Sequence, residues 1–184
     1  MSSIALRQHT INAGPFTFAH NFLVLYDDQG QVVAELHGLA SDPASGDPLP
    51  VGRSSDYLRA YEFAGKRLWK DGQTEKVIWE GDPEAVFARW AAAKDAHDQI
   101  NRRDLTYNLA GSDLNGPRDW DSPAPPVIAG NSNSVNRAFV ESMGLRMPGM
   151  PTMAPGTENQ LLPQNTIDQI RARYGFRLPP GGLF

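Results

Sequence analysis

Three side chains in this sequence are of the types that acyl-transfer chemistry uses: His20, His37 and Ser132. An imidazole with a pKa near 6.5 can take and return a proton at neutral pH. It does so productively only when a second group on its far nitrogen fixes the ring and the tautomer. A second histidine is able to be that group. The remaining need is a nucleophile, and a hydroxyl at a helix N-terminus gains from unpaired backbone amides that favour developing negative charge. Ser132 stands in "AGNSNSVNRAFVESMG", residues 129 to 144, just before an amphipathic stretch, and fits that role.

Each of these residues also has a plainer reading. A polar cluster ahead of a helix is usually an N-cap, and Ser132, Asn133 or Ser134 can serve as one with no further duty. His37 can be a strand-end residue bonded to backbone. Two facing histidines also suit a metal ion, although no third and fourth ligand stands at a recognisable spacing. His9, in a polar N-terminal stretch, and His97, on a helix face among Ala and Asp, read as incidental.

The elements that must position the candidates are legible to different degrees. "AHNFLVLYDDQGQVVAELHG" is the clearest hairpin signal, with strands at about 20 to 26 and 31 to 37 flanking Asp27, Asp28, Gln29 and Gly30. If the turn is centred between Asp28 and Gln29, His20 and His37 lie directly opposite one another, on one face and about 4.5 to 5.5 Å apart at Cβ. A slip of one residue would separate them. "SIALR" reads as a first strand, "DYLRAYEF" as another, and "KRLWKDGQTEKVIWEG" as a strand pair joined around Asp71 and Gly72. The total is an antiparallel sheet of roughly four to six strands. Residues 41 to 52 are a Pro/Gly/Asp loop.

Asp82, Pro83 and Glu84 open the longest helix, in which Val86, Phe87, Trp90, Ala93, His97 and Ile100 share a face. A second helix spans about 133 to 143, with Gly144 placed to end it. Residues 110 to 130 are irregular, "MPGMPTMAPGTENQLLP" is a wrapping segment, and a last helix is capped by Asn165 and ended by Gly175. The expected fold class is α+β, an antiparallel sheet packed against helices, in a single domain over residues 1–184 with a loop-heavy C-terminal third.

Composition narrows the function classes. A formal net charge of -4 without a long Lys/Arg run leaves no footprint for a nucleic-acid backbone. No window approaches the roughly 20 apolar residues of a membrane span, and "MSSIALRQHT" lacks a signal-peptide layout. These features predict a cytoplasmic protein as synthesised, with export by a route that uses no signal peptide left open. There are no cysteines, hence no disulfide, thiolate metal site or thiol nucleophile. No cofactor is expected.

The strand opening "HNFLVL", the strand closing "ELHG" and the later Asn-Ser-Asn-Ser helix start resemble the circularly permuted papain-like group. That group is related to the NlpC/P60 peptidases and the lecithin:retinol acyltransferase-like proteins. There a strand histidine and a second polar residue precede an Asn-Cys motif whose cysteine begins a helix packed on the sheet. The resemblance implies permuted papain-like topology, with His20 as general base, His37 as its orienter, Ser132 at the cysteine position, and Asn131 and Asn133 as further donors to an oxyanion. It implies an amide or ester hydrolase or acyltransferase, and some domains with a similar tail motif are associated with toxins and secreted effectors. The expected partners are a peptide or acyl substrate, such as peptidoglycan, and an immunity or secretion-apparatus protein. The competing expectation is a noncatalytic binding module or a structural component of a secretion or phage-like apparatus. In that reading "LRMPGMPTMAPG" docks on a partner, whereas its simplest role is to wrap the domain's own core.

Overall fold

A computed structural model describes residues 1–13, 16–109 and 129–177. The stretch expected to be irregular, 110 to 130, lies outside these residues apart from its last two. The described chain is α+β. Its strands are β1 (Ser2–Ala13), β2 (Phe16–Tyr26), β3 (Val32–Ser41), β4 (Pro48–Leu49), β5 (Tyr57–Ala64), β6 (Glu75–Gly81), β7 (Thr106–Tyr107) and β8 (Ala129–Gly130). The helices are α1 (Pro83–Asn101), α2 (Ser132–Ser142) and α3 (Gln164–Arg173). The sheet runs β6-β1-β2-β3-β5-β7-β8, with β4 paired to β3, and only the β7–β8 pair is parallel. Eight strands exceed the expected four to six because β4, β7 and β8 are two-residue pieces that no sequence period can signal.

Both faces of the central strands are covered. Leu23, Leu25, Leu36, Leu58 and Ala60 pack with Val86, Trp90, Ala93 and Ile100 of α1 and with Val135, Ala138 and Phe139 of α2 in one apolar cluster. Each fully buried large side chain there contributes roughly 1.5–3 kcal/mol. Asp82 caps α1, accepting from the Ala85 amide, with Pro83 in the first turn as its sequence predicts. Phe87 departs from the expected face and is exposed. For α3 the expected cap fails. Asn165 lies inside the helix, Pro163 precedes it, and no side chain caps the first turn.

The β2–β3 hairpin corrects the expected register in an instructive way. The Asp27 amide donates to the Gln31 carbonyl, and Gly30, at φ 74°, closes a three-residue loop, so Tyr26 faces Val32 instead of Gln31. Val33 then bulges, so Leu25 faces Ala34 and Leu23 faces Leu36. Two one-residue displacements add to an even number, which restores every side chain to its intended face. His20 and His37 are therefore diagonal neighbours. Phe22 and His37 are the residues next beyond the Leu23–Leu36 pair, and their rings stack at 4.8 Å.

Beyond Leu23 and Leu36 the ladder stops and β2 leaves β3. α2 and the wrapping segment fill the gap. The Ala19 amide donates to the Met153 carbonyl, and the Ala19 carbonyl accepts from Asn133. The Asn21 amide donates to Asn133 Oδ1, and its carbonyl accepts from Asn136. Buried backbone groups that a strand would have satisfied are met by two asparagines on a helix.

Residues 65 to 74 correct a second expectation. They form no strand, and no hairpin turns at Asp71 and Gly72. The segment instead crosses the face of the sheet opposite the helices, held by Arg7, which donates to the Lys70 carbonyl and lies over the Trp69 ring. Its amides have another acceptor, the carboxylate of Glu35.

Candidate active site

On the sheet face opposite the helices, three side chains form a hydrogen-bonded chain across β2 and β3. Glu35 Oε2 lies 2.7 Å from His37 Nε2, and His37 Nδ1 lies 3.0 Å from His20 Nε2. Glu35 and His37 are completely buried, while His20 retains 6% exposure and ends the chain at a cleft. The two imidazole planes are within 6° of parallel, and Phe63 meets His37 edge-on at 5.5 Å, so the rings are packed on their faces and edges.

Glu35 is a candidate site residue that the sequence reading missed. Its Oε1 accepts from the amides of Arg67 at 2.8 Å and Trp69 at 3.0 Å, and its Oε2 accepts from that of Leu68 at 2.8 Å. Burial alone would raise its pKa, but the His37 hydrogen bond and the Leu68 and Arg67 amides outweigh it and hold the carboxyl below its usual range. The signal was present in "ELHG": residues two apart on a strand share a face, so Glu35 must project beside His37.

An ionised carboxylate only accepts, and this fixes every proton in the chain. His37 donates from Nε2, so its Nδ1 carries a lone pair. His20 must then donate from Nε2, which leaves the lone pair on its Nδ1 as the basic site. Burial, then the proximity of His37 and His9, pushes the His20 pKa well below that of a free imidazole, so the ring is neutral at pH 7. Burial lowers His37 also, with the Glu35 carboxylate pulling against it.

Ser132 reaches the same cleft from the helix layer, where β2 and β3 part. The close approach of α2 to β3 depends on Gly38, where a Cβ would lie 2.4 Å from Val135 Cβ. The cap of α2 is Asn131, not Ser132. Asn131 Oδ1 accepts from the amides of Asn133 and Ser134, and Ser134 Oγ accepts from the Asn131 amide in a capping box. Ser132 is thus the first helical residue. Its hydroxyl makes no hydrogen bond to another described residue, and its amide is passed over by the cap. No hydrogen bond joins it to His20.

Asn131 and Asn133 are placed otherwise than as donors into the cleft. The Asn131 amide group donates to the carbonyls of Leu109 and Pro155, and that of Asn133 donates to those of Ala19 and Pro155. Both asparagines bind the wrapping segment and β2 to the start of α2. The wrapping segment therefore has partners within the chain: Thr152 exchanges hydrogen bonds with Gln8, and Met153 and Pro155 accept as described.

His9, read as incidental in a polar N-terminal stretch, is part of a strand. It lies in β1 directly opposite His20 and lines the cleft with it. His97, by contrast, is paired with Asp98 on α1, away from the cleft. The cleft measures about 630 Å³ and is walled by Leu39, Leu49, Phe63, Leu68 and Tyr107, with Arg67 as its one guanidinium among the described residues.

No protein-family model, curated protein or solved structure matches the chain. What the site can do follows from its own chemistry: a neutral, tautomer-locked imidazole and, lining the same cleft, a hydroxyl at a helix N-terminus that no other described residue binds. Among the described residues no group of three or more His, Asp or Glu side chains is arranged to hold a metal ion, and no helix is long and apolar enough to cross a membrane.

Proposed function

We propose that the chain is an acyl-transfer enzyme, an amide or ester hydrolase or acyltransferase of permuted papain-like type, with serine in the nucleophile's place. The observation that carries this reading is the polarised chain Glu35–His37–His20, which ends in a cleft that also holds the unbonded Ser132 hydroxyl. Ser132 Oγ attacks the substrate carbonyl carbon as His20 Nδ1 takes its proton. His37 and Glu35 hold the ring and stabilise the imidazolium that results. The helix-end amide of Ser132 faces the charge that builds on the carbonyl oxygen. On collapse the leaving amine or alcohol takes the proton from His20 and the acyl group stays on Ser132 as an ester. Water or an acceptor alcohol then attacks the ester carbonyl as His20 takes its proton, and His20 returns a proton to Ser132 Oγ as the acyl group leaves.

The apolar walls suit an acyl or side-chain group. Arg67, with no acidic partner among the described residues, suits a substrate carboxylate. Peptides of the bacterial cell wall carry such carboxylates, which supports a peptidoglycan-targeting effector as the biological setting.

A second reading rests on the missing hydrogen bond between Ser132 and His20: a binding module that holds an acyl or peptide ligand in the cleft without turning it over. Treatment with a fluorophosphonate probe, followed by peptide mass spectrometry, separates the two. The enzyme is expected to carry the adduct on Ser132, with Ser132→Ala and His20→Ala unlabelled. Absence of labelling, together with no hydrolysis of p-nitrophenyl acetate or cell-wall peptides even by Ser132→Cys, would establish the binding module instead.

A further inference from the structure

Acyl transfer needs a donor for the carbonyl oxygen as well as a base for the hydroxyl, and the two asparagines that the motif offers are spent on backbone carbonyls. His9 has the complementary chemistry. It opposes His20 on the neighbouring strand, so the two side chains leave the sheet on one face, with Cβ atoms about 4.5 to 5.5 Å apart. Both line the cleft.

The proton on His9 is as fully determined as that on His20. Gln73 Oε1 accepts from the Lys70 amide at 2.9 Å, and Gln73 Nε2 donates to the Leu68 carbonyl at 3.0 Å. A flipped carboxamide would set like groups against each other at both contacts, so its orientation is fixed. Its Nε2 also faces His9 Nδ1 at 3.3 Å. His9 Nδ1 must therefore accept, and the proton of the neutral ring sits on Nε2, which has no partner among the described residues. Burial, with Lys70 nearby, favours the neutral ring. Across one strand pair, His20 thus presents a lone pair and His9 presents an N–H.

We infer that His9 is a catalytic residue that donates its Nε2–H to the substrate's carbonyl oxygen, completing with the Ser132 amide the site that holds the oxyanion, and that Gln73 is the positioning residue that locks its tautomer. This inference rests on the acyl-transfer reading above.

Two measurements test it. In uniformly ¹⁵N-labelled protein at pH 8, long-range ¹H–¹⁵N correlation is expected to show His9 protonated on Nε2. The opposite tautomer would overturn the inference without any variant having to fold. The second is the rate of fluorophosphonate adduct formation at Ser132, with kcat and KM for p-nitrophenyl acetate. His9→Ala is expected to lower kcat and the adduct rate by about 10² to 10³-fold with KM little changed. His9→Gln, which returns an amide N–H near the position of Nε2, is expected to recover at least about tenfold of that loss, a rescue that a purely structural role would not produce. Wild-type rates in a folded His9→Ala protein, with Ser132→Ala unlabelled, would overturn the role of His9 and leave the acyl-transfer reading intact. A wild-type protein that is never labelled on Ser132 would overturn both.

Discussion

Replacing Glu35 by Gln removes one charge and one acceptor edge at a site with no solvent to compensate, and the structure dictates how the protein must respond. The carboxylate receives two backbone amides on Oε1, and one backbone amide plus His37 on Oε2. A carboxamide can turn its NH2 toward either set. Facing Arg67 and Trp69, it strands two buried N–H donors. Facing Leu68 and His37, it strands only the Leu68 amide, because His37 can invert its tautomer and accept. Each stranded donor costs about 1–3 kcal/mol, so the second orientation wins by about that amount. The inversion then propagates. His37 donates from Nδ1, His20 must accept at Nε2, and the His20 proton moves to Nδ1, where the base is needed. The expected result is a melting temperature lower by roughly 2–12 °C, at about 2–4 °C per kcal/mol for a chain of this size. The His20 tautomer should switch in ¹⁵N spectra, and Ser132-dependent ester hydrolysis should fall by on the order of 10⁴, as for a wrong-tautomer triad. A Glu35→Gln protein that keeps His20 protonated on Nε2 and hydrolyses at the wild-type rate would refute the relay.

Two further outcomes follow from the same geometry. His20 and His37 both have folded-state pKa values below the unfolded value of 6.5. The unfolded chain therefore takes up protons first as the pH falls, and the stability held above pH 6.5 is lost below it, at up to about 1.4 kcal/mol per pH unit for each histidine. Glu35, depressed from 4.5, adds a loss of the same sign at lower pH, as the pH drops through its folded value. Urea unfolding between pH 7.5 and 5.5 is expected to show this slope, shallower in His20→Gln; parallel slopes would contradict it. At the β3–α2 contact, Gly38→Ala is expected to cost about 1–3 kcal/mol through collision with Val135. Because Val135→Gly removes the Cβ 2.4 Å from the new methyl together with both γ carbons, the double variant should be more stable than the sum of the single losses predicts, and strict additivity would count against the contact.

Local chemistry determined much of this chain. The Asp82–Pro83 start of α1, the hairpin of β2 and β3, and a polar start to α2 are written in short runs whose propensities agree with the fold they join. The pairing of Glu35 with His37 was equally local, since the two residues share a strand face by spacing alone. Other features needed the whole molecule. The relative register of His20 and His37 depends on a loop that gains a residue and on a bulge at Val33, and both follow from how twisted strands meet. Residues 66 to 70 read as a strand by composition, yet a buried carboxylate drew their amides into a turn, because an unpaired buried charge costs more than a lost ladder bond. Asn131, not Ser132, caps α2 because Gly156 leaves room for its side chain: a Cβ there would stand 2.5 Å from Asn131 Oδ1. The position of Ser132 in the histidine cleft depends on β2 parting from β3 and on two asparagines that repair the parted edge. Types and periods follow from the sequence because each residue carries its own preferences. Which hydroxyl is left unbonded in the same cleft as which imidazole is set by competition among distant groups for the same hydrogen bonds, and only the folded chain resolves that competition.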